Sequence, residues 1–222
     1  MGRERKALID LNGNDLFSRN KDKLKEHILY IFDKRIQENG IKGTTFRQVV
    51  EDSGKARSIV YKYYGTKERL IMELLKSEKY RMLFDINLDK ILADHQENHG
   101  EELYKMFLGY HFNQMRSSRF VQELNLMKLT ESSALMDDII SIKEDFREKL
   151  LILGKDYFKH KNIDFIAVIA ILLAGLNFII QYSKNNKGIY YGFDTDNKQN
   201  MDLLVKTAKQ LIQMVYDYAE EK

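Results

Sequence analysis

The stretch SGKARSIVYKYYGTKERL, Ser53 to Leu70, sets Lys55, Arg57, Lys62, Lys67 and Arg69 around Tyr61, Tyr63 and Tyr64, with no acid before Glu68. Cations interleaved with aromatic rings suit a polyanion. Ammonium groups neutralise phosphates, and a planar guanidinium can give two parallel hydrogen bonds to guanine. Arg57 has the reach for base-edge bonds, and Ile59 can touch a thymine methyl. Lys62 and Lys67 suit phosphate, while Tyr61 and Tyr63 offer hydroxyl donors to the backbone and ring contact to the sugar. Thr45, at the start of a helix, offers a hydroxyl and free N–H groups to a phosphate.

The other chemistries the sequence offers are weaker. His95 and His99 in HQENH have a helical zinc spacing, but a third ligand is missing and Gly100 follows at once. DTDNKQ, from Asp194, begins like a calcium loop. It has Gln199 where the sharp turn needs Gly and Val205 where the bidentate Glu belongs, so it reads as the cap of the last helix. There is no glycine-rich phosphate loop and no nucleophile–base set in a recognisable context, so neither enzyme activity nor a metal or cofactor site is expected. The segment EELYKMFLGYHFNQMRSS is rich in Met and aromatics. Met106, Phe107, Tyr110, His111 and Gln114 read either as ordinary core or as walls of an apolar pocket with few polar groups. Asn177, alone in an apolar helix, reads as a polar contact in a pocket or an interface.

The elements that must position these residues are helical. The chain has no Pro, so no helix meets a proline break, and no run alternates like a strand of useful length. Leu24, Ile28, Ile31, Phe32 and Ile36 predict a first helix from Lys21, with Asn20 as cap and Gly40 as stop. Thr44 or Thr45 caps a second helix that Gly54 ends, and a third runs over about 57–63. Thr66 opens a fourth, with Glu68 in its first turn. Three short helices with Gly54 in the middle turn describe a helix-turn-helix, with Val60 and Tyr64 inward and Arg57, Ser58, Tyr61 and Lys62 outward.

Beyond it, helices are expected over 67–93, 101–117, 119–130, 133–159, 163–184 and 198–219, and KGIYYGF (187–193) as a loop. The stripe of the fifth of these runs is too short at Phe165–Ile180, and interrupted by Asn177, for a membrane span; apolar all round, it is expected to be buried on all sides, in a protein–protein interface or as a central core helix. Met201, Leu204, Ala208, Leu211, Val215 and Tyr218 form the seam of the last helix.

Charge divides the chain unevenly. Residues 1–70 hold 16 Lys and Arg against 10 Asp and Glu, and the remainder 20 against 23. A basic head on a slightly acidic body fits one end meeting a polyanion. The absence of Cys excludes disulfides and thiolate sites and is compatible with a reducing cytoplasm. The start, MGRERKALIDLNGND, lacks the apolar core of a signal peptide.

The head motif resembles that of the TetR family of bacterial transcriptional regulators. The family pattern meets this chain at Gly40, Thr44, Thr45, Val49, Gly54, Tyr61, Tyr63, Tyr64, Lys67, Glu68 and Leu70, about a fifth of the chain. Lys55, Ala56, Ser58 and Gly65 depart from it. The resemblance implies DNA contacts from Thr45, Arg47, Arg57, Ser58, Ile59, Tyr61, Lys62, Tyr63 and Lys67. It also implies an inducer pocket in the body and a homodimer through the last two long helices, 163–184 and 198–219.

The expected protein is therefore all-α. It has a flexible arm over 1–20 whose Arg3, Arg5 and Lys6 suit the minor groove, a helix-turn-helix domain over 21–68, and a ligand-binding and dimerisation domain over 69–222. Its expected role is that of a cytoplasmic, ligand-responsive regulator, a repressor on a near-palindromic operator, with a small and largely apolar effector. Two alternatives stand beside it: a non-specific DNA-organising protein, and a helical small-molecule-binding protein with a vestigial head.

Overall fold

A computed structural model describes residues 16–77, 79–80, 88–186 and 188–221, without the side chains of 16–20, 145 and 185. These residues form eleven helices and one short hairpin. The chain divides into two compact units at residues 80/81, past the fourth helix, where the sequence reading set the boundary at 68/69 within that helix. The arm expected over 1–20 lies outside the described residues up to position 15, and the first helix begins at Leu16 instead of beyond Asn20.

In the first unit, α1 (Leu16–Gly43) turns Ile28, Phe32 and Ile36 inward at four-residue steps, all fully buried. Gly40, at φ 78° and ψ 169°, breaks the helical path where the sequence predicts its end. The side chain of Thr44 is buried there and donates to the Gly40 carbonyl at 2.8 Å. α2 (Phe46–Asp52), α3 (Arg57–Tyr63) and α4 (Lys67–Leu75) close over α1 with Val49, Val60, Leu70, Ile71, Leu74 and Leu75. Each such burial stabilises the unit by roughly 1.5–3 kcal/mol. The buried carboxylate of Asp33 is satisfied by Tyr80 Oη at 2.9 Å, Lys79 Nζ at 2.6 Å and Gln37 Nε2 at 2.9 Å. That matters because an unpartnered carboxylate would be strongly unfavourable there.

The second unit contains α5 (Leu88–Asp94), α6 (Glu101–Ser117), α7 (Arg119–Thr130), α8 (Ala134–Leu150), α9 (Ile152–Phe158), α10 (Phe165–Asn185) and α11 (Lys198–Glu220). Central α6 packs against α7, α10 and α11. Ser118, Ser133, Asp164 and Asn197 cap α7, α8, α10 and α11 with their side-chain oxygens, each cap contributing about 1 kcal/mol. Asn197 thus confirms the capping role read for the 194–199 stretch.

Four expectations change. The helix expected over 67–93 is α4 and α5, with 81–87 outside the described residues. The helix expected over 133–159 is interrupted at Leu151 (φ −85°, ψ −1°). The redirected α9 brings Gly154 against Tyr104 and Phe165, a packing that outweighs a continuous stripe. Residues 187–193 were expected as a loop. Instead β1 (Ile189–Tyr190) and β2 (Phe193–Asp194) pair antiparallel, Ile189 opposite Asp194. Positive φ at Tyr191 and Gly192 gives the two-residue turn whose twist suits a hairpin.

Lastly, α10 is buried over only part of its surface within its own chain. Its apolar run reaches 20 residues, long enough by length and composition to cross a membrane, and only about a fifth of it is covered by its own chain. Ile171 is 71% exposed and Phe178 53%. On α11 the buried face is Met201, Ala208, Ile212, Tyr216 and Ala219, while Leu211 and Tyr218 of the expected seam point outward with Leu203 and Met214.

The core of this unit is an aromatic box. Phe158 stacks on Phe165 at 4.7 Å, and Tyr216 meets Phe158 edge-on at 4.9 Å. The hydroxyl of Tyr104 accepts the Gly154 N–H at 2.7 Å, and burial pushes that phenol up to about 12. A Cβ at Gly154 would lie 2.4 Å from the Phe165 ring. Gly154→Ala is therefore expected to destabilise the protein by about 1–3 kcal/mol. A thermal melt should show the midpoint falling by several degrees; an unchanged midpoint would contradict this packing.

Candidate nucleic-acid interface and interior cavity

Helix α3 owes its orientation to two side chains. Val60 is fully buried, and Tyr64 is inward with its hydroxyl donating to the Lys25 carbonyl at 3.0 Å. Both were expected inward. Gly54, at φ 62°, makes the turn that sends α3 away from α2. The opposite face is left outward: Arg57, Ser58, Ile59, Tyr61 and Lys62 are all exposed. Ile59 at 39% and Tyr61 at 40% are large apolar surfaces that the head does not use for its own core. Tyr61 is held in place. Its ring meets Phe46 edge-on at 4.8 Å, and Arg57 lies 5.0 Å over it while donating to its hydroxyl at 3.2 Å.

The remaining expected contacts are placed differently. Thr45 caps α2 in a reciprocal box: its hydroxyl oxygen accepts the Gln48 N–H at 3.3 Å, and Gln48 Oε1 accepts the Thr45 N–H at 2.8 Å. Its hydroxyl and amide are thus engaged within the helix, and only the first-turn amides of α2 remain for a phosphate. Arg47 is exposed beside it and pairs with Glu51 at 2.8 Å. Tyr63 is half-buried. Lys67 is half-buried too and donates to the Ile41 carbonyl, so it ties α4 to the end of α1.

In the second unit a cavity of about 1010 Å³ opens along α10. Its walls are Phe107, Leu126, Leu129, Leu150, Ile166, Ile169 and Leu173, with Asn177 on the same side of α10. Of the six residues expected to line a pocket, Phe107 and Asn177 do so. His111 reaches it indirectly, its Nε2 lying 2.6 Å from Asn177 Oδ1. Met106 and Tyr110 line a separate small void with Leu88 and Ile91, and Gln114 lines neither. The reason is helical phase: α6 turns Met106 and Tyr110 towards α5, away from α10.

The sequence reading missed a group of cations. Lys128 of α7 and Lys143 of α8 lie near enough for their charges to act on each other, with Arg147 one turn further along α8. Lys128 and Arg147 line the cavity. Glu144 pairs with Arg147. Among the described residues no acid forms an ion pair with Lys128 or Lys143. Lys128, Lys143 and His111 are each half-buried. Burial, and then the charges of Lys128 and Arg147, hold the Lys143 ammonium down to about 7. Burial, opposed by the Asn177 bond and aided by the three cations, holds His111 down to about 4. No spacing signals this group, since lysines on two helices read as solvated faces until packing joins them. Among the described residues, no cluster of three or more His, Cys, Asp or Glu side chains could hold a metal ion.

The depressed lysine has a sign that can be measured. In the unfolded chain Lys143 keeps its proton to about 10.5, whereas in the fold, facing Lys128, Arg147, His111 and Glu144, it releases it near 7. Between these values the unfolded state binds more protons, so stability rises with pH, and below 7 the penalty of the buried charge is fully present. Melts of the wild type should therefore gain stability from pH 7 to 9 relative to Lys143→Met. Parallel profiles would mean that Lys143 titrates as an ordinary surface lysine.

No family model and no curated protein matches the chain. Solved structures do. A transcriptional regulator FadR from Bacillus subtilis in complex with stearoyl-CoA superposes with a TM-score of 0.58 at 16% identity, over 84% of this chain and 96% of that one. An HlyIIR mutant protein with a linker containing two thrombin sites gives 0.56 at 19% identity, over 74% and 86%. The fatty acid degradation regulator FadR from Bacillus halodurans gives 0.53 at 18%, over 86% and 96%. With its helix-turn-helix head and all-α body, the chain has the fold of the TetR-family regulators.

Proposed function

We propose that the protein is a ligand-responsive, DNA-binding regulator of transcription, a cytoplasmic repressor that binds a near-palindromic operator as a homodimer. The observation that carries this reading is the outward face of α3, where Arg57, Ser58, Ile59, Tyr61 and Lys62 stand together on a helix fixed from behind by Val60 and Tyr64. A short helix presenting base-reading and phosphate-binding side chains on a rigid mount is what the major groove admits. Ser58 and Ile59, at positions where base-edge contacts are expected, give this chain its own sequence preference. The likeness of fold to proteins described as transcriptional regulators, one of them holding an acyl-CoA, supports both the DNA and the effector. The cavity of the body is the effector site, and an effector acts by binding one of two conformations better than the other.

The homodimer rests on the two outward apolar faces, Ile171 and Phe178 on α10 and Leu203, Leu211 and Met214 on α11. A second copy that covers them forms a four-helix bundle. Two heads so joined read half-sites one helical turn, about 34 Å, apart.

Selection of sites from random duplex DNA should return a two-fold consensus. Arg57→Ala should cost about 1–3 kcal/mol at one base step and relax preference there, while Lys62→Ala should weaken all sequences alike and lower the salt slope by about one. A pool with no consensus would favour non-specific DNA packaging. In sedimentation the protein should run as two 26.3 kDa chains, and Ile171→Asp as one. A wild-type monomer at micromolar concentration would remove the dimer.

A further inference from the structure

The cavity along α10 is long and two-natured. Ile166 and Tyr182 both line it, and they are separated by about 24 Å of helix axis. From Ile166 to Ala174 the α10 wall is wholly apolar, and Leu126, Leu129, Leu150 and Phe107 face it from α7, α8 and α6. At Asn177 the character changes. Asn177 holds His111, and Lys128, Lys143 and Arg147 gather on the same part of the unit. Glu144 offsets Arg147, and Glu148 and Lys155 stand at the cavity rim as a further acid and base. Glu144 also acts on Lys128, so one acid stands against the three cations Lys128, Lys143 and Arg147. Two like charges packed together oppose the fold unless an opposite charge joins them.

We propose that the effector is an elongated amphiphile, with an apolar chain lying along α10 and a terminal anionic group seated at Lys128 and Arg147, which line the cavity, with Lys143 adding its charge nearby. This rests on the reading of the cavity as the effector site. A neutral molecule of the same shape leaves the two ammonium groups opposed, a cationic one adds a third repulsion, and a short anion leaves the apolar wall empty. His111 is held neutral and bonded to Asn177, so it shapes the polar end without adding a charge. A carboxylate and a phosphate supply the same anionic oxygens, and both are tested.

Direct titration of the full-length protein with hexadecanoate, hexadecyl phosphate, hexadecanol and hexadecyltrimethylammonium, below their aggregation limits, tests the proposal. At least one anion should bind about tenfold or more tighter than the alcohol, the ammonium least, and the tighter anion identifies the head group. Lys128→Met and Lys143→Met should each lose about tenfold or more for the anion and keep the alcohol unchanged. Replacing a crowded cation by an apolar side chain of similar volume should also raise the melting temperature of the free protein, which separates lost binding from lost folding. Equal binding of alcohol and anion, wild-type anion affinity in both variants, or no binding of any probe overturns the proposal. DNA release is scored separately. An anion that binds through the lysines yet leaves DNA affinity untouched keeps this site and removes the regulatory reading. Release by hexadecanol as readily as by hexadecanoate keeps the regulator and removes the anionic subsite.

Discussion

The constraint on which the second unit depends is the incomplete burial of α10. A helix that apolar must be covered somewhere, and its own chain covers only one side of it. Phe165, Ile169, Leu176 and Ile180 form that side and pack into the core. A second side, from Ile166 through Leu173 to Asn177, faces the cavity. A third, centred on Ile171, is left outward, and α11 has an outward apolar stripe of its own at Leu203, Leu211 and Met214. On the proposed function, the same twenty residues serve a core, a ligand and a second chain. Any change in one covering shifts the helix that serves the other two. In the proposed dimer, ligand and partner would thus communicate through α10 itself, without a separate relay.

The head was largely legible because its information is local. Gly40 and Gly54 sit where the backbone takes positive φ, Thr45 and Thr66 where amides need an acceptor, and Val60 and Tyr64 one turn apart on one face. Those signals act within a few residues, so the motif and its inward residues could be read directly. What could not be read was how a polar side chain divides its bonds. Thr45 and Lys67 have the right types for phosphate, yet one closes a capping box and the other reaches the end of α1. The bare sequence does not show that these donors already have internal acceptors.

The body was legible in its helices and illegible in its faces. α11 carries two apolar stripes, and a periodicity that fits both does not say which one meets α6. The structure buries Ile212 and Tyr216 and leaves Leu211 and Tyr218 outside. The stripe over 133–159 looked continuous because every fourth or third residue is apolar, yet the small volume at Gly154 let the chain turn so that Phe165 could close on it. In the same way Met106 and Tyr110 have a pocket composition but the wrong phase for the large cavity. Choices of phase are made by partners far away in the chain, which is why they are absent from local pattern.

The cation group extends that point from packing to electrostatics. Lys128 and Lys143 are separated in sequence by a helix end and a cap at Ser133, and each alone is an ordinary lysine of a solvated helix. Packing of α7 against α8 brings them together, and the walls that exclude water from them are the apolar residues that shape the cavity. A fold optimised only for stability would not keep two like charges there, since an apolar pair of similar size would pack without the repulsion. In the proposed complex, a bound anion relieves that repulsion. Because the repulsion is relieved at the junction of α7 and α8, such an occupant stabilises that junction in the arrangement that holds the ligand. At the other end of the polar zone, Asn177 ties the ligand's surroundings to α10, the helix whose outer face awaits a partner. Charge relief on one wall and apolar burial on the other then act on the same conformation.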